Sequence, residues 1–140
     1  MKKILIISIG LSIILWASFS RSSSGIVTDN LTKLQWQDDY SDNGGTIKSA
    51  TWQNDINYCE GLSLGGYSDW RLPNINELLS IVDYTKLNPS INSTFINTSP
   101  LDYYWSSTNN TYYAWIVYFT YGSSRSSYNK YNSFYVRCVR

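Results

Sequence analysis

Hydrophobic and polar positions alternate in several short runs of the chain, and these runs predict strands. Ile26–Thr28 and Leu34–Gln37 flank a polar turn, which predicts an opening hairpin with Leu34 and Trp36 on one face. Three later runs are rich in β-branched and aromatic residues and are separated by Ser-, Asn- and Gly-rich loops: Tyr104–Ser107, Ala114–Tyr121 and Phe134–Val139. In the middle run, alternation places Trp115, Val117 and Phe119 together on one face.

Two segments have helical periodicity instead. The first has apolar residues at spacings of four and three, which predicts a helix with an inward stripe: Trp52, Ile56, Cys59 and Leu62. The second begins at Asn74, three residues before Glu77, and this is the spacing of a capping box. The stretch from Asp83 to Tyr103 shows no periodicity, so we expect it to wrap over the core as an irregular loop.

The first twenty residues have the pattern of a signal peptide. Lys2 and Lys3 precede an apolar run that ends at Trp16, and small residues lie near Ser20. The run is shorter than the roughly 20 residues of a membrane-spanning helix, so we expect cleavage, and an uncleaved membrane anchor is the alternative. The prediction is a signal peptide at residues 1–20, a short Ser-rich linker at 21–25, a domain at 26–140, and a periplasmic, cell-surface or secreted location.

Export bears on the two cysteines of the chain, Cys59 and Cys138. Outside the cytoplasm, two cysteines that are distant in sequence most often form a structural disulfide. Such a bond would join the first predicted helix to the last predicted strand. A reactive thiol or a metal ligand is the alternative, but the chain has neither a CxxC spacing nor a histidine to support it.

Composition excludes several kinds of chemistry. The chain has 140 residues and no histidine, so it can form neither a Ser-His-Asp triad nor a histidine-ligated zinc site. Its formal net charge is +1, and loss of Lys2 and Lys3 with the signal segment would leave nine basic against ten acidic residues, or −1. Nucleic-acid binding needs a basic face and is therefore not expected. We expect a protein that is not an enzyme and uses no cofactor.

One polar loop carries possible oxygen ligands at alternate positions. Asp39, Ser41 and Asn43 stand at the first, third and fifth positions of a loop of EF-hand type. Ala50 occupies the twelfth position, where a bidentate Glu is required. We therefore predict a solvated, Asp- and Asn-rich turn and no metal site, with calcium at these three residues as the alternative.

The strongest indication of function lies in the C-terminal third. Between residues 103 and 135, nine Tyr, seven Ser and four Asn make up twenty of the 33 residues. Antibody combining sites have this composition, because Tyr gives a large contact area at low entropic cost and Ser and Asn give adaptable hydrogen bonds. These residues are also ordinary in strands and loops, but their clustering favours a binding face. The predicted ligand-binding residues are Tyr112, Tyr113, Tyr118, Tyr121, Arg125, Tyr128, Asn129 and Tyr131.

Several motifs together resemble a known family. They are Trp52 with Tyr58-Cys59, Leu62–Pro73, Glu77-Leu78, Tyr104–Ser107, Trp115 and the ending Tyr135–Arg140. Over residues 26–140 they resemble the C-terminal domain of the Legionella collagen-like adhesin family. Arg71-Leu72-Pro73 with Glu77, and the Arg-Cys-Val-Arg ending, are also similar to the formylglycine-generating-enzyme branch of the C-type-lectin-like fold.

The resemblance implies an α+β, C-type-lectin-like fold, in which two helices pack on a small, twisted, mostly antiparallel sheet with one disulfide. Asp69 and Arg71 are then expected to pair with each other, with Glu77 or with loop carbonyls at the junction of sheet and helix. We interpret nine residues as structural parts of this fold: Trp52, Asp69, Trp70, Arg71, Pro73, Glu77, Trp105, Trp115 and Arg137.

The resemblance also carries expectations of function. Together with the signal pattern and the Tyr/Ser/Asn-rich window, it leads us to expect an exported adhesion module that recognises a glycan or a protein on a cell or envelope surface, with membrane contact only through an uncleaved signal segment. The chain has no Gly-X-Y tract, so trimerisation through a collagen stalk does not carry over. The Tyr/Ser/Asn-rich window also resembles the variable region of C-type-lectin-like proteins that retroelements diversify. A structural or envelope-assembly domain that binds no small ligand is the alternative.

Overall fold

The computed structural model describes residues 18–99, 101 and 103–140, so most of the predicted signal segment lies outside the described residues. The described chain is α+β. It forms two α-helices, a short 3-10 helix at Ser41–Asn43, and eight strands. The helices are α1 (Trp52–Gly61) and α2 (Ile75–Ser80). The strands are β1 (Phe19–Arg21), β2 (Ile26–Asp29), β3 (Gln35–Gln37), β4 (Ser49–Thr51), β5 (Tyr103–Asn109), β6 (Tyr113–Tyr118), β7 (Ser123–Asn129) and β8 (Ser133–Tyr135).

The first sheet is an antiparallel meander of β1, β2 and β3. The predicted hairpin is confirmed as β2 and β3. Strand β1 was not predicted, because its residues follow directly on the apolar run of the signal pattern. The segment that we predicted as a linker includes the turn from β1 into β2, where the Gly25 amide donates to the Ser22 carbonyl. Cleavage after Ser20 would remove two of the three residues of β1.

The second sheet has five strands in the order β4-β8-β5-β6-β7. Strands β5 and β8 pair in parallel, and the other neighbours pair antiparallel. The sequence predicted a single sheet, and the structure divides the strands between two. The C-terminal residues connect them, since Arg140 exchanges backbone hydrogen bonds with Gln35 of the first sheet. Val139 exchanges two more with Arg71.

Both predicted helices are confirmed. Helix α2 begins with the predicted capping box: the Asn74 side chain accepts from the Glu77 amide at 2.9 Å, and the Glu77 carboxylate accepts from the Asn74 amide at 3.1 Å. The Glu77 carboxylate also accepts two hydrogen bonds from the Arg71 guanidinium, one at each oxygen, at 3.0 and 2.7 Å. Of the helices in the described ranges, none has the length and apolar character needed to cross a membrane.

Two hydrophobic cores lie on opposite faces of the second sheet. The first lies under α1 and contains the disulfide between Cys59 and Cys138, whose Cα atoms are 5.5 Å apart. The second lies between that sheet, α2 and the first sheet, and includes Trp36, Leu78 and Val117. The predicted disulfide is confirmed, and it ties α1 to the end of the chain. Because both faces are covered, successive residues of a central strand are buried on alternate sides.

Three details of the strand predictions are wrong. Strand β7 lies in a Ser-rich segment that was predicted as a loop, since its small polar side chains lack the apolar alternation of a half-buried strand. The last predicted strand is regular only as β8, and residues after Tyr135 leave the ladder. Trp115 shares a face with Val117 as predicted, but it is 38% exposed, because the second core ends at Val117. The scaffold role assigned to Trp115 is therefore not supported.

Arg137 lies in a buried network that the sequence did not reveal. Its guanidinium donates to the Asp38 carboxylate at 2.8 Å, and both side chains are buried. It also donates to the Asn97 carbonyl at 2.6 Å and to the Thr98 hydroxyl at 2.8 Å. The Asp38 carboxylate also accepts from the Arg21 guanidinium, at 3.1 Å. The network fixes the long irregular loop and β1 against the C-terminal segment.

Asp55 of α1 is buried without a hydrogen-bond partner for either carboxylate oxygen among the described residues. Burial raises the pKa of Asp55 to about 7, against smaller opposing effects of the nearby Ala50 amide and the Lys48 ammonium. The folded state therefore holds this proton more tightly than the unfolded chain. The stability that comes from protonated Asp55 is complete near pH 4 and is lost as the pH rises towards 7.

We expect this titration to be visible in the free energy of unfolding. Between about pH 5 and pH 6.5 the wild type should lose about 2 kcal/mol, because the slope for one proton is about 1.4 kcal/mol per pH unit. The chain has no histidine, so few other groups titrate in this window. Asp55→Asn cannot ionise and should flatten the slope in urea unfolding. An equal slope in both proteins would contradict the assignment.

Candidate binding cleft and the tyrosine-rich surface

A cleft of about 310 Å³ opens where the start of α1 meets the turns that follow β5 and β7. We call it the aromatic cleft. Three aromatic side chains come together in its walls, from elements far apart in sequence, and four polar residues complete them: Trp52, Tyr112 and Tyr131, with Thr51, Gln53, Thr111 and Lys130. The sequence placed Tyr112 and Tyr131 in a binding face. It did not bring Trp52 to them.

Short local hydrogen bonds position the three aromatic residues. The Trp52 indole N–H donates to the Ser106 carbonyl at 2.8 Å, which fixes the ring against β5. The amides of Tyr112 and Tyr131 each donate to an Asn side chain two residues earlier, at 3.1 and 2.9 Å, as in Asx turns. Tyr112 is 70% and Tyr131 87% exposed, so their rings remain open to solvent. The Asn residues of the window thus build the turns that present the tyrosines.

Lys130 is the charged residue of the cleft, and its charge is largely engaged by the protein itself. Its ammonium lies 4.0 Å from the centre of the Trp52 ring. It donates to the Asn109 side chain at 2.7 Å and to the Asn110 carbonyl at 2.6 Å. These contacts hold the two turns together, and Lys130 leaves one positive charge in a cleft whose other lining residues are aromatic or uncharged. No signal in the sequence identified Lys130, because a single lysine in a polar loop is usually a solvated surface residue.

The other predicted ligand-binding residues do not share one face with the cleft. Tyr118 and Tyr128 are half-buried and pack on Tyr103, with ring centres 5.0 and 4.8 Å away. A hydrogen bond to Tyr128 raises the pKa of Tyr103. This cluster also contacts Phe134, so it extends the first core, and Tyr118 and Tyr128 behave as ordinary strand residues.

Of the remaining predicted residues, Tyr121 and Arg125 are exposed beyond that cluster. Tyr113 pairs with Asn129 on the opposite face of the sheet from Tyr118. The predicted ligand-binding residues therefore do not all lie on one face of the sheet, and which of them contact a ligand stays a prediction. The register between β6 and β7 also shifts between Ala114 and Ile116.

The loop considered for calcium is an Asx turn. The Asp39 carboxylate accepts from the Ser41 amide at 2.9 Å and from its hydroxyl at 2.5 Å. The hydroxyl contact is the main reason that the pKa of Asp39 is lowered. Asn43 donates instead to the Thr46 carbonyl. Within the part of the chain that the structure describes, His, Cys, Asp and Glu side chains do not gather in groups of three or more.

The segment from Asp69 to Pro73 makes structural contacts. Arg71 pairs with Glu77, as considered from the sequence, whereas Asp69 pairs with Arg140 at 2.6 Å, a partner that the sequence did not indicate. Trp70 is buried in the first core. The Pro73 carbonyl accepts from the Ser107 amide, and the buried Trp105 indole donates to the Ala50 carbonyl. These contacts agree with the structural interpretation.

Residues 25–140 match the family model of the Lcl C-terminal domain. The match extends from the turn before β2 to the last residue, and so it contains the aromatic cleft and both cysteines. Among curated proteins, no significant match to the chain was found.

Proposed function

The chain belongs to the Lcl C-terminal domain family, and we propose that it is an adhesin-like module that binds a glycan through the aromatic cleft. The observation that carries the proposal is the meeting of Trp52, Tyr112 and Tyr131 around one opening. Aromatic faces pack well on the C–H surfaces of sugar rings. The cleft volume lies at the small end of the range for ligand pockets and suits one or two sugars.

The polar residues of the cleft supply the hydrogen bonds that a sugar needs. The Gln53 amide and the hydroxyls of Thr51 and Thr111 can both donate and accept, which matches the two roles of a sugar hydroxyl. The backbone at Tyr112 and Tyr131 is already held by their turns, so binding orders little of the backbone there. Binding without chemical conversion of the ligand is the activity that this arrangement supports.

We also propose that the module is exported and has a C-type-lectin-like fold. The buried disulfide supports an oxidising compartment, where such bonds persist. Two helices, a mixed five-stranded sheet, and a bond from the first helix to the C-terminal segment support the fold assignment. Cleavage of the signal segment and genetic diversification of the Tyr-rich window stay predictions.

Truncation of either exposed tyrosine should weaken glycan binding. We expect Tyr112→Ala and Tyr131→Ala each to raise the Kd about tenfold, because each removes about 1.4 kcal/mol of aromatic contact. A glycan array would select the ligand, and calorimetric titration would measure the Kd. Tyr84→Ala is the matched control, since Tyr84 is 71% exposed and lies in the long loop away from the cleft.

Two results would decide against this function. An unchanged Kd in both cleft variants would show that the ligand binds elsewhere. If the wild type binds no glycan, and the same substitutions instead dissociate an oligomer in analytical ultracentrifugation, the envelope-assembly alternative is correct.

A further inference from the structure

The exposed aliphatic side chains of the domain belong to two segments, and neither segment is part of the aromatic cleft. Among the described residues, the large aliphatic side chains that are exposed are Leu31, Leu87, Ile96 and Leu101. The first lies in the turn between β2 and β3, and the other three lie in the long loop between α2 and β5. In the C-terminal third, by contrast, the exposed large hydrophobic residues are Tyr or Trp.

The long loop lies at the far end of β6 from the aromatic cleft. The Asn88 amide donates to the Thr120 carbonyl at 3.1 Å and the Ser90 amide to the Phe119 carbonyl at 2.6 Å, directly after β6. The cleft contains Tyr112, directly before β6. The 6 residues of β6, about 20 Å of strand, therefore separate the two surfaces.

A groove of about 430 Å³ runs along the long loop. Its apolar lining consists of Pro89, Ile91, Phe95 and Ile96. Ile96 is 67% exposed, so the rim of the groove is apolar as well. Lys86 is the charged residue of the groove, and its ammonium lies 4.0 Å from the Asp83 carboxylate.

The chain enters the domain beside this groove. Phe19, the first residue of β1, packs on Phe95 with ring centres 5.6 Å apart. On the other side of the entry point, the Ser18 carbonyl accepts from the Asn30 amide at 2.9 Å, and the next residue, Leu31, is 87% exposed. Leu31 and the groove therefore flank the place where the residues before Ser18 join the domain.

Those preceding residues form an apolar run in the sequence. The run ends at Trp16, two positions before Ser18, so at most about 7 Å of chain separates it from the domain. A bilayer that holds the run must then lie close to the entry point. The run is shorter than the roughly 20 residues that span a bilayer, and apolar neighbours that enter the interface reduce such a mismatch. Lys33 and Lys86, next to the exposed aliphatic residues, suit anionic lipid headgroups.

We propose that the face formed by Leu31, Ile96 and the groove, which we call the membrane face, docks on the lipid bilayer that holds the apolar run. Because this face and the cleft lie at opposite ends of β6, docking would point the cleft away from the membrane. The proposal requires that the run stays attached as an anchor. Strand β1 favours retention, because cleavage after Ser20 would remove Phe19 and its contact with Phe95.

The test places a fluorophore at either end of the full chain in vesicles of phosphatidylethanolamine and phosphatidylglycerol. Both native cysteines are in the disulfide, so Leu31→Cys, Ile96→Cys and Tyr131→Cys each provide one free thiol for a nitrobenzoxadiazole label. Leu31 and Tyr131 are equally exposed, which makes position 131 the matched control. Lipids brominated near the headgroup should quench labels at 31 and 96 several-fold more than the label at 131. Aqueous iodide should give the opposite order.

An added charge should weaken docking. Ile96→Asp in the chain labelled at position 31 should lower quenching by the lipids, because a charged side chain resists leaving water. Asn54→Asp adds the same charge on the exposed side of the first turn of α1, at the cleft end, and should leave quenching unchanged. Circular dichroism should be the same for all variants.

Three results would overturn the proposal. The first is equal quenching by the lipids at positions 31, 96 and 131. The second is protection of positions 31 and 96 from iodide without quenching by the lipids, which would show that a second copy or another protein covers the face. The third is an exported protein that begins at Arg21, as found by mass spectrometry. Glycan binding does not enter these measurements, so the membrane face and the cleft can fail separately.

Discussion

Arg137→Met should lower the free energy of unfolding by about 3 to 5 kcal/mol, the usual cost of breaking a buried ion pair. The substitution leaves the buried Asp38 carboxylate without the guanidinium that lies 2.8 Å away. It also removes the donors to the Asn97 carbonyl and the Thr98 hydroxyl. The total free energy of unfolding of a domain of this size is about 5 to 15 kcal/mol, so the variant should be close to unfolding. Urea unfolding measures the difference.

The chain offers a matched control for this prediction. Arg71 also pairs with one carboxylate, Glu77, but the Arg71 side chain is 48% exposed. Exposed ion pairs contribute about 1 kcal/mol or less, because water screens both charges. Arg71→Met should therefore shift the urea midpoint only slightly. Equal losses in the two variants would show that burial of Asp38 and Arg137 is not what makes their network important.

Loss of the disulfide should also lower the free energy of unfolding strongly, by about 4.5 kcal/mol. Cys59 and Cys138 are 79 residues apart, and a crosslink over such a loop removes much of the entropy of the unfolded chain. The bond also joins α1 to the C-terminal segment inside the first core. We expect Cys59→Ala with Cys138→Ala to unfold at a much lower urea concentration than the oxidised wild type.

Reduction of the wild type separates the bond from the substitutions. Wild type in excess dithiothreitol should approach the stability of the double alanine variant, which dithiothreitol should not change. Mass spectrometry after alkylation without reduction should find no free thiol in the wild type. Two alkylated cysteines, or equal stability with and without reductant, would contradict the structural role of the bond.

The predictions from sequence were best where a local pattern fixes the structure. The capping box at Asn74 and Glu77 is a contact between near neighbours, and the apolar stripe of α1 places Cys59 in the core. Strand β7 and the burial of Asp38 depend on distant partners instead. A Ser-rich strand is recognisable only once β6 lies beside it, and a buried Asp only once Arg137 reaches it.

The candidate site shows the same division. Composition identified Tyr112 and Tyr131, because both lie in polar turns of a Tyr-rich window. It could not show that the start of α1 brings Trp52 between them, since the contact joins elements more than fifty residues apart. It also grouped Tyr118 and Tyr128 with them, although the ring cluster around Tyr103 draws both towards the first core. The alternation of apolar and polar residues shows which side chains share a face of a strand, but it does not show which part of that face is covered by other elements of the fold.

The central claim is that a glycan binds between Trp52, Tyr112 and Tyr131, and the indole N–H resonances test it most directly. In a two-dimensional ¹H–¹⁵N NMR titration with the glycan selected on an array, the Trp52 resonance should shift in proportion to occupancy. The resonances of the buried Trp36 and Trp70 should stay in place. Shifts confined to the surface around Tyr121 and Arg125, with Trp52 unmoved at saturation, would contradict the claim.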